Sequence, residues 1–313
     1  GRAGDVTSER PEAAEVLARL ERWAREEPRV RALVLESSRA QEQAPLDAFS
    51  DFDVLVAVED AVAFAADEAW PSAFGKPLVR FRDSTQVRGY TTYSRLVLYA
   101  DGTKVDYLVW PAALLRELRG AQTLPDVLDW GYRPLVDKDG LTEGWPAPTR
   151  TAFIPRRPTE REYLALVEEF WWETSYVAKN LWRDELLFAK YNLEVVMKLD
   201  LLRRMLEWRI EIERGWTWKP GLLGRGMQHL VPAATWAELE RTFVGPGIEE
   251  NWQALFATTA LFRRTAREVG AALGYAYPHE LDAGMTAYLE GVREQARQRG
   301  EADGERGLPT SGA

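Results

Sequence analysis

The sequence contains no cysteine and only two histidines, His229 and His279. The absence of cysteine excludes disulfides, thiolate zinc sites and cysteine nucleophiles. Two histidines, neither spaced with an acid or serine as a triad requires, are interpreted as structural or exposed residues. Any metal would therefore be a hard cation, magnesium or calcium, bound by carboxylate oxygens.

Long apolar runs and an excess of positive charge are also missing. No segment approaches the roughly 18 consecutive apolar residues of a membrane span, and residues 1–10 lack the basic head and apolar centre of a secretory signal. We therefore expect a cytoplasmic protein without a membrane partner. With 40 Lys and Arg against 49 Asp and Glu, the net charge of -9 argues against binding nucleic acid and suits a small cationic substrate.

The composition is that of a globular protein of two domains. The chain has 313 residues, of which 46% are hydrophobic and 11% aromatic, and its length exceeds the usual size of one domain. Short apolar runs occupy the first half, and helical periodicity marks the second. Between them we predict a loop from about Pro134 to Pro158, because prolines cluster at its end. We predict an α/β (α+β) fold with a mixed-sheet domain at 8–148, a helical domain at 157–296 and a disordered tail at 297–313.

The individual elements follow from periodicity and turn signals. A first helix begins near Ser8 and is ended by Pro28. Apolar runs predict five strands: Ala32 to Leu35, Phe52 to Val58, Leu78 to Phe81, Arg95 to Tyr99 and Val105 to Trp110. Asp101-Gly102 between the last two predicts a tight antiparallel hairpin. Helical spacing marks segments around Tyr163 to Phe170, Leu193 to Ile212, Ala233 to Phe243, Glu249 to Leu273 and Glu280 to Gln298.

Three acids stand in or beside apolar strands of the first half. Asp51 and Asp53 begin the strand Phe52 to Val58, and residues two apart in a strand point to the same face. Asp106 lies inside the otherwise apolar segment 104–109, where a lone ionised carboxylate is costly without a cation or hydrogen bonds. The ordered set of a strand, Ser37-Ser38, a loop, the Asp-x-Asp strand and an acid-bearing strand predicts a divalent-cation site.

This pattern resembles the nucleotidyltransferase superfamily of DNA polymerase beta type, and more closely the aminoglycoside 6-adenylyltransferases, which modify streptomycin. The matching segments are Ser37-Ser38-Arg39, Asp47-Ala48-Phe49-Ser50-Asp51-Phe52-Asp53, Asp101-Gly102-Thr103-Lys104-Val105-Asp106, Phe170-Trp171, Tyr176-Val177-Ala178-Lys179, Leu181-Trp182-Arg183, Glu185-Leu186 and Ala189-Lys190-Tyr191. The resemblance covers about residues 14–289 and so includes both predicted domains.

The resemblance implies transfer of AMP from ATP to a hydroxyl of a cationic aminoglycoside, with Mg²⁺ bound by Asp51, Asp53 and Asp106. Asp106 either completes a second metal site or takes the proton of the acceptor hydroxyl. The resemblance further implies a nucleotide-binding set and two acceptor contacts. The nucleotide set is Ser37, Ser38, Arg39, Lys179 and Lys190, and the acceptor contacts are Trp182 and Glu185. We expect the chain to be a monomer.

One departure from the family pattern leaves alternatives open. Glu36-Ser37-Ser38 replaces an Asn-Gly-Ser turn, so Ser37 adds a side chain and Glu36 adds a negative charge where phosphates are expected. A nucleotidyltransferase with another small-molecule or protein acceptor is the first alternative. The second alternative is a degenerate member that binds nucleotide or aminoglycoside without catalysing transfer.

Overall fold

The structure is a computed structural model that describes residues 11–40, 46–47 and 49–306. The chain divides into two compact units, Gly1–Phe153 and Ile154–Ala313. The division falls between the predicted limits of 148 and 157, in the segment where prolines interrupt regular structure. Each unit has its own hydrophobic core.

The first unit is a six-stranded mixed sheet flanked by short helices. Its strands are β1 (Val30–Glu36), β2 (Phe52–Val58), β3 (Pro77–Val87), β4 (Tyr90–Tyr99), β5 (Lys104–Pro111) and β6 (Tyr132–Asp137). Its helices are α1 (Ala13–Glu26), α2 (Ala61–Ala66), α3 (Ala112–Glu117) and α4 (Asp126–Asp129). The strand order is β3-β4-β5-β2-β1-β6, with β2 and β5 parallel and all other neighbours antiparallel. The α/β mixed-sheet prediction is confirmed.

The central strands are buried on both faces, which explains their unbroken apolar runs. On one face of β2, Val54 and Val56 join a cluster that includes Leu20 of α1. On the other face, Leu55 belongs to a cluster with Leu115 of α3. Polar residues therefore remain only at the strand ends, where Asp53 lies.

Five strands and one hairpin were predicted and are present. Gly102 has a φ of 82°, as the tight turn between β4 and β5 requires, and those strands pair antiparallel. The prediction of loop structure from residue 134 is wrong for β6, which pairs with β1 and contains Pro134. A proline is tolerated there because β6 is an edge strand. At the N-terminus, α1 starts at Ala13 and ends before Pro28, whereas Ser8 lies outside the described residues.

The second unit is helical, as predicted. Its segments are α5 (Glu160–Trp182), α6 (Leu186–Lys190), a π-helical segment (Tyr191–Leu202), α7 (Arg203–Arg214), α8 (Ala233–Glu240), α9 (Ile248–Leu273) and α10 (His279–Arg306). A capping box at Thr159 and Glu162 starts α5. In the core, Phe170 of α5 stacks on Phe262 of α9 with ring centroids 3.6 Å apart.

The predicted disordered tail is wrong for its first ten residues, because α10 continues to Arg306. Two side-chain contacts support this extension. Arg297 forms an ion pair with Glu249 at 3.1 Å, and Gln298 donates a hydrogen bond to Glu294 one turn earlier. Residues 307–313 lie outside the described residues. Across the described residues, no helix is both long and apolar enough to cross a membrane.

Asp129 organises the segment that follows the sheet. Its carboxylate accepts hydrogen bonds from the Thr149 hydroxyl at 2.6 Å and from three backbone N–H groups, those of Thr149, Thr151 and Ala152. Burial alone would raise the pKa of Asp129, but these hydrogen bonds outweigh burial and lower it. The ionised carboxylate therefore fixes residues 149–152 to the end of α4 within the first unit.

We expect Asp129→Ala to destabilise the first unit by about 3 kcal/mol, since several hydrogen bonds to a charged acceptor are lost together. Asp129→Asn retains one acceptor oxygen and should lose less stability than Asp129→Ala. Because the folded pKa of Asp129 is lowered, its contribution is present above the unfolded pKa and lost as the pH falls through the folded value. Urea denaturation of both variants measures the effect, and a loss below about 0.5 kcal/mol in the alanine variant would contradict it.

Candidate active site

Parallel pairing of β2 and β5 brings two acids side by side. Asp53 of β2 is the register partner of Asp106 of β5. Asp51 precedes Asp53 by two residues and therefore lies on the same face of the sheet. The predicted convergence of Asp51, Asp53 and Asp106 is what the register produces.

Lys104 lies among these acids and was missed as a site residue. Its ammonium group donates to Asp51 Oδ2 at 2.7 Å and stands 3.3 Å from Asp106 Oδ1. Burial alone would lower the pKa of Lys104, but the hydrogen bond to Asp51 and the charge of Asp106 outweigh burial and raise it. The two-residue spacing of Lys104 and Asp106 was the available signal, because it places both side chains on one face.

The acids destabilise one another in their ionised forms. Burial, together with the charges of Asp106 and Asp51, raises the pKa of Asp53 to about 6. Burial also raises the pKa of Asp106, although the charge of Lys104 partly opposes this. Asp106 Oδ1 is buried without a hydrogen-bond partner. The site therefore carries more negative charge than its own residues neutralise, which favours binding a cation.

Glu36 is a fourth carboxyl beside this group. Leu35 pairs with Val54 in the antiparallel β1–β2 ladder, so the next position, Glu36, lies beside Asp53. The side chain is buried, and its Oε1 has no hydrogen-bond partner. Burial and the charge of Asp53 raise the pKa of Glu36 to about 8. This raised pKa favours the protonated carboxyl at neutral pH, which runs against the expectation that Glu36 adds a negative charge.

The predicted phosphate-binding turn follows β1 directly. Ser37 and Ser38 are the first residues of a 3-10 turn, Ser37–Ala40. Arg39 of this turn donates to the backbone oxygens of Asp51, at 2.8 Å, and Ser50, at 2.7 Å. Its guanidinium also lies 3.8 Å from the centre of the Phe52 ring. Arg39 thus joins the turn to the start of β2 and fixes the backbone that carries Asp51.

The donor set suits a hard divalent cation, although the side chains do not surround a metal position as they stand. Within residues 11–40, 46–47 and 49–306, no three His, Asp or Glu side chains are arranged to hold a metal ion. Lys104 takes the cationic position between Asp51 and Asp106. Carboxylate oxygens are the ligands that magnesium prefers, and Asp106 Oδ1, which accepts no hydrogen bond and lies 3.3 Å from the Lys104 ammonium, is such an oxygen. The chemistry of these oxygens suits a hard cation, and magnesium at this position stays a prediction.

The other four predicted contacts lie in the helical unit. Lys179 is exposed, with its ammonium 4.8 Å from the Tyr176 ring. Lys190 instead donates to the backbone oxygen of Val244 at 2.8 Å and approaches Glu194 at 3.4 Å, so its charge is already partnered. Trp182 and Glu185 are both exposed near the end of α5.

Comparison with known proteins identifies relatives along nearly the whole chain. A family model described as streptomycin adenylyltransferase matches residues 11–292. An aminoglycoside 6-adenylyltransferase of Bacillus subtilis (strain 168) is 31% identical over 276 residues, covering 86% of this chain and 94% of the relative. An aminoglycoside 6-adenylyltransferase of Campylobacter jejuni is 31% identical over 259 residues, covering 82% of this chain and 87% of the relative.

Among solved structures, a crystal structure of an aminoglycoside 6-adenyltransferase from Bacillus subtilis is 27% identical, with a TM-score of 0.45. The match covers 90% of this chain and 99% of that one.

The mixed sheet, with Asp-x-Asp at the start of β2 and a third acid on its parallel neighbour β5, has the arrangement that the resemblance to nucleotidyltransferases implies. The enzyme class expected from the resemblance is confirmed by the comparisons. The chain belongs to the streptomycin adenylyltransferase family, whose model matches from residue 11 to residue 292.

Glu36 should make the stability of the protein pH-dependent. The carboxyl ionises near 4.5 when exposed but near 8 when folded, so stability is lost as the pH rises through this window. Glu36→Gln cannot ionise, and wild type should lose on the order of 3 kcal/mol relative to the variant between about pH 5 and pH 8. Urea denaturation at both pH values measures the difference; parallel pH profiles for the two proteins would show that Glu36 is ionised in the fold.

Proposed function

We propose that this nucleotidyltransferase transfers AMP from ATP to a hydroxyl of an aminoglycoside, with streptomycin as the acceptor and pyrophosphate as the second product. The observation that carries the proposal is the register pairing of Asp53 with Asp106, beside Asp51. The family description and the names of the relatives supply the choice of nucleotide transfer and of acceptor.

The reaction requires an attack by the acceptor oxygen on the α-phosphorus. A new oxygen–phosphorus bond forms, the bond from the α-phosphorus to the bridging oxygen of pyrophosphate breaks, and the hydroxyl proton must be removed. Asp106 suits the role of proton acceptor because its Oδ1 accepts no hydrogen bond, although the Lys104 ammonium lies 3.3 Å away. Its raised pKa makes the carboxylate more basic than an exposed aspartate.

Asp51 and Asp53 would hold magnesium, and Asp106 would complete a second metal site if it does not take the proton. When bound, magnesium neutralises phosphate charge and aligns the attacking and leaving oxygens. Lys104 already supplies a positive charge at the acids, and its ammonium is suited to a phosphate oxygen.

The nucleotide and acceptor contacts remain proposals derived from the family resemblance. Ser37 and Ser38 would face the phosphates from the turn after β1, and Arg39 would join them while its guanidinium also holds the backbone oxygens of Ser50 and Asp51. Lys179 is exposed and available as a point charge, whereas Lys190 would have to give up its bond to Val244. For the acceptor, Trp182 and Glu185 offer an aromatic face and a carboxylate, the groups that bind guanidinium ions.

The protonated state of Glu36 weakens the alternative of a degenerate binder. That alternative rested on a negative charge and an added side chain in the phosphate turn. A buried neutral carboxyl does not repel phosphate, so the added side chain of Ser37 is the remaining departure from the family pattern.

The proposal is tested by incubating the full chain with ATP, magnesium and a panel of aminoglycosides, with pyrophosphate release and product mass as readouts. We expect streptomycin to gain the mass of one AMP, with equimolar pyrophosphate. Transfer to a different aminoglycoside would support the proposed reaction but show that streptomycin is not the acceptor. Nucleotide binding without any adenylylated product would support the degenerate binder instead.

Asp53→Asn should reduce transfer by at least about a hundredfold, because it removes an anionic oxygen required for metal binding while changing little in volume. Stability without nucleotide should stay equal or rise, since Asp53 is destabilised by its neighbours. Asp126→Asn, in the first turn of α4, is the matched control and should retain activity. Wild-type kcat in the Asp53→Asn enzyme would show that Asp53 is not part of the active site.

A further inference from the structure

The row of paired strand positions that contains Asp53 and Asp106 continues across the sheet to its exposed edge. Asp106 pairs with Leu96 of β4, and Leu96 pairs with Phe81 of β3. Side chains at paired positions share a face, so Phe81 lies on the same face as Asp106, two strands away. Asp83 follows Phe81 by two residues and shares this face.

Phe81 and Asp83, which we call the edge pair, are both exposed. Phe81 is 61% exposed, an unusual state for a phenylalanine in a strand. In the described part of the chain, the Asp83 carboxylate accepts a hydrogen bond only from the adjacent backbone N–H of Ser84. On the opposite face of β3, by contrast, Arg80 and Arg82 both pair with Glu68.

The chemistry of in-line displacement assigns opposite sides of the acids to the two substrates. The attacking oxygen and the leaving pyrophosphate must stand on opposite sides of the α-phosphorus. If the pyrophosphate lies towards the turn after β1, an acceptor that approaches from the side of β4 and β3 meets this requirement. Strand spacing places Phe81 about 10 Å from Asp106, with Asp83 about 7 Å further along the strand, distances that a multi-ring acceptor spans.

We propose that Phe81 and Asp83 form a binding surface for the cationic acceptor and set its specificity for guanidinium- or ammonium-bearing rings. The aromatic face binds the cation through its quadrupole, and the carboxylate supplies charge-assisted hydrogen bonds. This assignment rests on the proposed function, since it takes the acids as the place of transfer. Leu96 lies between the edge pair and Asp106 and provides apolar support for the ring.

The test uses Asp83→Asn and Phe81→Leu in the full chain. Each should raise the KM for streptomycin roughly five- to tenfold, with the KM for ATP and kcat unchanged within about twofold. The effect of Asp83→Asn should shrink as salt is raised, because it removes an exposed charge. Glu26→Gln on α1, which packs on the other face of the sheet, is the charge-matched control and should change neither KM.

Calorimetric titration of streptomycin into the same proteins separates this inference from the proposed function. Wild-type binding that is weakened by both variants supports the surface even if no AMP is transferred. Transfer with an unchanged streptomycin KM and affinity in both variants overturns the surface and keeps the function. The sedimentation coefficients of the same proteins are measured alongside. Variants that change sedimentation but not streptomycin affinity would overturn the surface and show that β3 instead pairs with a second copy of the chain. Absence of streptomycin binding to wild type overturns both.

Discussion

The site depends on the repulsion between carboxylates that the parallel pairing of β2 and β5 places next to each other. Asp53 and Asp106 are register partners, and Asp51 lies on the same face. Burial and mutual repulsion raise the pKa of Asp53 to about 6. Such an arrangement costs stability unless a cation compensates it. In the protein as described, Lys104 supplies part of that compensation, and a divalent metal is the natural further source.

The side chains on the face of the sheet that carries the acids differ in charge from β1 to β3. At the β1 end, burial raises the pKa of Glu36 to about 8, which favours its neutral form at pH 7. In the middle, Asp53 and Asp106 carry the charge of the site. At the β3 edge, Phe81 and Asp83 are exposed to solvent. One sheet face therefore offers a neutral side, an anionic centre and an aromatic and acidic edge.

Local patterns predicted the features that depend on neighbours in sequence. The bounds of β2 follow from its unbroken apolar run, and the shared face of Asp51 and Asp53 follows from strand alternation. Features that depend on residues distant in sequence were missed. The neutral state of Glu36 requires burial beside β2 and β6, Lys104 acts through Asp51 from another strand, and β6 becomes a strand despite Pro134 only by pairing with β1. The extension of α10 likewise depends on Glu249 in α9.

We propose that the carboxylates of β2 and β5 bind nucleotide through a divalent cation. Calorimetric titration of ATP into the full chain, with magnesium and then with excess EDTA, measures whether they do. We expect saturable one-site binding with magnesium and at least about tenfold weaker binding without it, because triphosphate and carboxylates then repel each other. Equal affinity for ATP under both conditions would show that no divalent cation joins ATP to these carboxylates.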